Sequence, residues 1–221
     1  MEIITILLSI PAVLIALTVH EYAHGFAAFR LGDPTARSLG RLSLNPLRHI
    51  DPIGMLSMIL FRFGWAKPVP INTRYFKKPR RDMALTALAG PLANFLLSFL
   101  SAFLYVLLAY LFTRLGALLA APRMIRLFLQ YTLQFVYIFH FMNLTLGLFN
   151  CIPIPPLDGS RFLLPLLPRR AHFFVIRYER YFSLALLLLL VLGVTNRLLL
   201  GAANGISSGI LSLFYLIFGL S

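Results

Sequence analysis

Residues 3–24 read IITILLSIPAVLIALTVHEYAH, and residues 3–19 hold no charged side chain. At ~1.5 Å rise per residue, a helix from there to Arg30 is long enough to cross the ~30 Å hydrocarbon core of a bilayer. The apolar run leads directly into His20-Glu21-Tyr22-Ala23-His24. Residues four apart lie one above the other on a helix. His20 and His24 can therefore bind one metal ion, with Glu21 beside it as general base for a bound water. Two imidazoles and a carboxylate in mid-membrane are costly unless they pair or bind something, which favours a metal site. Glu2 stands where a signal peptide has a basic region, and no clear small-residue cleavage site precedes His20, so the helix reads as retained.

The rest of the chain fits a membrane. It is 59% hydrophobic and 12% charged, outside the balance of soluble domains. Candidate spans are 3–29, 83–113, 127–150, 173–194 and 204–220, while 52–63 is short enough to be re-entrant. The expectation is an all-α polytopic membrane protein of about five to six transmembrane segments, folded as a single integral-membrane domain over 1–221. Its net charge of +13 does not indicate nucleic acid, because the charge is segregated. Eleven Lys/Arg lie between Arg30 and Arg81 and five between Arg161 and Arg180, against four elsewhere. If 52–63 does not cross, these two regions share a side, which the positive-inside rule makes cytoplasmic. The N-terminus is then outside and the C-terminus inside. His20 lies ten residues before Arg30, ~15 Å along the axis, so the His pair needs a water path from the cytoplasm. Cys151 is the only cysteine, which excludes an intrachain disulfide and multi-cysteine zinc sites.

Between the first two spans, residues 36–49 do not read as helix, and Leu42 and Leu44 alternate with polar neighbours. Residues 64–72 (GWAKPVPIN) are Pro-rich and extended. The two stretches read either as a small membrane-associated β element beside the site or as two interfacial loops. The second span opens with Ala84, Ala87, Gly90 and Ala93, small residues suited to close helix packing, and Pro91 predicts a kink. In 127–150, His140, Asn143, Gly147 and Asn150 form one stripe, expected to face away from lipid.

A catalytic zinc usually has three protein ligands and one open position. Of the seven carboxylates, Glu2 is at the wrong end of its helix. Asp33, Asp51, Asp82 and Glu179 have basic, interfacial surroundings. Asp158 follows Asn150-Cys151-Ile152-Pro153-Ile154-Pro155-Pro156-Leu157, uncharged and with three prolines, and precedes Gly159. The prolines force a loop out of the helix, and an Asp-Gly turn can aim the carboxylate at the His pair. Asp158 is the favoured third ligand and His140 the rival.

The pairing of HEYAH with NCIPIPPLDG resembles the site-2 protease family of intramembrane zinc metalloproteases. RLGDPTARSLGRLSLNPLRHIDPIG, FGWAKPVPIN and RRDMALTALAGPLAN extend the resemblance to its compact branch without PDZ or CBS domains. The resemblance implies one Zn²⁺ held by His20, His24 and Asp158, with Glu21 as general base. It implies Asn150 at the substrate or the developing oxyanion, and Asn94 at a position near the site. It further implies a multi-pass protein of the prokaryotic plasma membrane, in contact with the lipid bilayer, that cleaves single-span or membrane-anchored protein substrates in or near their transmembrane segments. An ion-binding transporter or channel is the alternative class. A catalytically silent relative that binds membrane helices is another.

Overall fold

The computed structural model describes residues 2–51, 54, 67–114 and 122–220. The stretch 52–63, read as re-entrant, lies outside these except for Gly54. Four described helices are long and apolar enough to cross a membrane: α1 (Glu2–Arg30), α3 (Pro79–Arg114), α4 (Arg123–Asn150) and α8 (Val194–Phe218). Four shorter helices lie among them: α2 (Thr35–Ser38), α5 (Asp158–Leu163), α6 (Arg169–Arg177) and α7 (Glu179–Val191). This is the expected all-α polytopic membrane architecture.

α3 is the hub and packs against α1, α4, α5 and α8. One of its faces buries Asp82, Thr86, Gly90, Asn94, Ser98 and Ala102, spaced four apart. The face is small and polar because the imidazoles of α1 press on it at Gly90 and because the Asn94 amide and Ser98 hydroxyl bond across the helix contacts. At Gly147 of α4, an added Cβ would lie 2.8 Å from the Phe95 ring of α3. The stripe on α4 is buried as expected at His140, Asn143 and Gly147, while Asn150 is half-buried.

Two expectations change. The stretch 173–194 is not one helix, because α6 ends at Arg177 and α7 starts at Glu179. The break falls in Arg177-Tyr178-Glu179-Arg180, charges that are costly at membrane depth. The 13 residues of α7 rise only ~20 Å, short of the ~30 Å core. α8 follows after Gly193, whose φ of +73° suits glycine. The direction of α8 is the second change. Its Ser207 meets His140, which also bonds Ser98, and further along Phe214 packs on Phe99 and Phe103 and Phe218 on Tyr110. α8 therefore runs parallel to α3. At that same end of the bundle, Gln134 of α4 bonds Thr5 near the start of α1, and Tyr105 of α3 packs on Tyr137 of α4. The C-terminus thus lies at the same end as the N-terminus, not at the end of the basic loops.

Residues 35–38 and 46–48 form single helical turns, and no strand occurs among the described residues, only an isolated bridge residue at Ile50. Residues 67–72 form no helix or strand and are fastened to what precedes them. Lys67 N–H donates to the His49 carbonyl (2.8 Å), the Arg41 guanidinium to the Lys67 carbonyl (2.6 Å), and Asn72 N–H to the Asp33 carboxylate (2.7 Å). Asp33, which the sequence places in interfacial surroundings, is therefore buried, as are Arg41 and His49.

Candidate metal centre

His20 and His24 project from one face of α1 toward α3, and Asp158 reaches the same point from the start of α5. Nε2 of His20 is 3.0 Å from Nε2 of His24 and 3.0 Å from Oδ2 of Asp158, and His24 Nε2 is 3.1 Å from the same oxygen. The imidazoles stand perpendicular, with centroids 4.6 Å apart, and both are buried. The structure thus brings together the three residues that the sequence proposes as ligands.

The opposite edges of the rings determine where their protons are. His24 Nδ1 is 2.7 Å from the main-chain carbonyl of Thr86. A carbonyl only accepts, so Nδ1 carries the proton. His20 Nδ1 is 2.6 Å from Oδ1 of Asn94. That amide is oriented in turn, because its Nδ2 donates to the Ala16 carbonyl (3.2 Å) and to Oδ1 of Asn143 (2.9 Å). Asn143 donates to the Phe139 carbonyl (2.8 Å). The chain ends on backbone acceptors, so His20 is also the Nδ1–H tautomer. Both Nε2 atoms then present lone pairs to a carboxylate oxygen, and no neutral hydrogen-bond pattern satisfies three acceptors at this spacing.

A divalent cation satisfies them. Tetrahedral zinc with bonds of ~2.0–2.1 Å separates its ligand atoms by ~3.3 Å, close to the 3.0–3.1 Å found here. Two imidazoles and a carboxylate are a catalytic zinc set, and imidazole N–H bonds to a carbonyl and an amide are the usual outer support. The residues fit the ion.

Two glycines make room for this arrangement. A Cβ on Gly90 would lie 2.6 Å from His24 Cε1 and 2.7 Å from His20 Cε1. The next residue, Pro91, lacks the N–H that would bond the Ala87 carbonyl, which loosens α3 where the imidazoles press on it. Sequence reasoning treated Gly90 only as a helix-packing residue and did not find Thr86. A Cβ on Gly159 would strike the carbonyls of Cys151 and Ile152, so glycine lets α5 sit against the end of α4 and bring Asp158 to the histidines.

Glu21 is half-buried, and its Oε2 accepts the Val69 N–H at 2.8 Å. Asn150 donates to the Leu146 carbonyl of its own helix at 3.0 Å. His140 is fully buried and bonded to Ser98 and Ser207, outside the triad.

The sequence model of Peptidase family M50 matches residues 8–193. The chain belongs to this family. It is 38% identical over 205 residues to a Bacillus subtilis (strain 168) protein named "Putative zinc metalloprotease YwhC", covering 93% of this chain and 90% of that protein. It is 31% identical over 189 residues to "Putative zinc metalloprotease Rip2" of Mycobacterium tuberculosis (strain H37Rv), covering 82% of this chain and 65% of that one. A Mycolicibacterium smegmatis protein of the same name is 34% identical over 98 residues, 42% of this chain and 37% of that one. No solved structure matches the chain. The expected class, a site-2-protease-like zinc metalloprotease of the membrane, agrees with membership of this family.

Proposed function

We propose that the chain cuts peptide bonds in or near transmembrane segments of single-span or membrane-anchored proteins. His20, His24 and Asp158 hold the zinc, and Glu21 is the general base. The observation that carries this reading is the convergence of three lone pairs within 3.0–3.1 Å in the second half of α1. Bound there, zinc would polarise the scissile carbonyl and acidify a water at the open position.

The chain's own residues do the rest. Glu21 takes the proton of the attacking water and returns it to the departing amide nitrogen, so the C–N bond breaks to an amine and a carboxylate. Asn94 is fully buried on the far side of His20. Its part is therefore to orient that ring, while contact with substrate or developing oxyanion falls to Asn150, half-buried at the end of α4. An unwound substrate segment that paired with residues 67–72 could donate to them but receive nothing from Pro68 or Pro70, which lack N–H groups.

The distribution of Lys and Arg supports a cytoplasmic location for the site end of the bundle in a prokaryotic plasma membrane. On that reading both termini are outside, and α6 and α7 stay at the cytoplasmic interface, leaving four full crossings among the described helices. α6 suits an interface, with Phe173, Phe174 and Ile176 exposed among its basic residues. The described helices support one integral-membrane unit over 1–221, its core built around α3.

The test compares purified wild-type protein with Glu21→Gln on a panel of single-span substrates, with zinc measured in both. The expected result is equal zinc and cleavage only by the wild type. Equal cleavage by both would remove Glu21 from the reaction.

A further inference from the structure

In Pro68-Val69-Pro70 the two prolines have no N–H, so Val69 supplies the tripeptide's only main-chain donor. That donor is 2.8 Å from Oε2 of Glu21. We propose that the Val69 N–H is the positioning group for the Glu21 carboxylate. It holds Oε2 so that Oε1 faces the reaction centre to take and return the proton. This rests on the assignment of Glu21 as general base.

Three observations support the proposal. First, the donor is itself held in place. Arg41 grips the Lys67 and Pro68 carbonyls at 2.6 and 3.3 Å, the His49 carbonyl accepts from Lys67 N–H at 2.8 Å, and Asp33 accepts from Asn72 N–H at 2.7 Å. Second, the Val69 side chain is buried on α1, where its Cγ1 would lie 3.2 Å from a Cβ on Gly25, one turn beyond Glu21. The side chain thus sets the height of its own N–H along the helix. Third, Oε1 of Glu21 has no hydrogen bond among the described residues, so one oxygen is held and the other is available. A free Glu side chain loses rotamer entropy when fixed, and a base must be placed within ~0.5 Å to work well. An amide flanked by two prolines supplies the fixing bond without a neighbouring donor to compete for it.

The experiment replaces Val69 by its α-hydroxy acid, 2-hydroxyisovalerate, which removes the N–H and keeps the side chain. Val69→Pro removes the N–H genetically, and Val69→Ala keeps it. Each protein is assayed for zinc content, kcat and KM, beside wild type and Glu21→Gln. The Glu21 carboxylate stretch is read as the infrared difference between wild type and Glu21→Gln. The proposal expects kcat to fall about 10- to 100-fold in the ester protein, with zinc and KM unchanged and the carboxylate band shifted. Val69→Ala keeps the N–H but loses the side chain that sets its height, so its kcat should fall less than that of the ester protein; an equal or larger fall overturns the proposal in favour of packing. An ester protein within twofold of wild-type kcat, while Glu21→Gln is inactive, overturns the positioning role and leaves the base role standing. A rise in kcat also overturns it, because the contact would then restrain Glu21. Loss of zinc or a raised KM in the ester protein overturns it in favour of a packing role for 67–72. Wild-type activity in Glu21→Gln removes the base assignment itself. If Val69→Pro misfolds, the ester protein alone decides, because an ester has almost the same shape as the amide.

Discussion

Gly90→Ala adds one methyl group at the point where α3 meets both histidines. Its Cβ would lie 2.6 Å from His24 Cε1 and 2.7 Å from His20 Cε1, and ordinary contact begins at 3.4 Å. His24 Nε2 would be nearer still, so either the rings retreat by about 0.7–1.0 Å or α3 moves away from α1 by a similar amount. Retreat stretches the bonds to Thr86 and Asn94 that fix the tautomers, now 2.7 and 2.6 Å. A catalytic constellation tolerates ~0.5 Å, and loss of the outer bonds alone costs ~10–100-fold in metal affinity. Zinc affinity should therefore fall at least ~100-fold, and cleavage with it. The fold should survive, because alanine gains ~1 kcal/mol of helix propensity over glycine against ~1–3 kcal/mol of overpacking. The assay is zinc retention against a graded chelator, with circular dichroism as the fold control and cleavage of a single-span substrate as readout. Wild-type zinc affinity in a helical, monodisperse Gly90→Ala protein would refute the placement of the imidazoles against α3.

Asn94→Leu removes the acceptor that orients His20 and should lower zinc affinity ~10–100-fold, measured by chelator competition; unchanged affinity would deny the orienting role. Gly159→Ala forces a methyl group onto the Cys151 and Ile152 carbonyls and should displace Asp158, so zinc is lost while the helical circular dichroism signal persists. His140→Leu removes the bonds by which α4 holds Ser98 of α3 and Ser207 of α8 and should cost about 1 kcal/mol of stability, read as lower thermal stability in detergent with zinc content unchanged. Loss of zinc in that variant would restore His140 as a ligand. Reporters fused to either end of the chain, or single cysteines labelled there, should be accessible from the same side of the membrane; opposite sides would contradict the direction of α8.

Much of the site was legible because membrane burial makes polar residues conspicuous. HEYAH after an uncharged run and a lone carboxylate in a proline loop are exceptions to an apolar background, and each exception needs a partner. The supporting groups were harder to find. Thr86 contributes a main-chain carbonyl and Val69 a main-chain N–H, which no side-chain pattern marks. Gly90 reads as helix packing whether its neighbour is a leucine or an imidazole. The misread fold element has a similar cause. Residues 173–194 are apolar enough for a span, and only Arg177, Glu179 and Arg180 signal the break. The sense of α8 depends on contacts of Ser207, Phe214 and Phe218 with distant helices, which hydropathy does not encode. Leu42 and Leu44 alternate like a strand, yet this loop is organised by the buried side chains of Asp33, Arg41 and His49, whose main-chain partners no side-chain pattern marks.

The central claim is that Asp158 completes a zinc site with His20 and His24. Zinc stoichiometry in Asp158→Ala, measured after dialysis against a chelator that leaves one zinc per chain in wild type and in Glu21→Gln, tests it most directly. The account predicts that Asp158→Ala loses its zinc under those conditions while remaining helical. Full zinc occupancy in Asp158→Ala would contradict it.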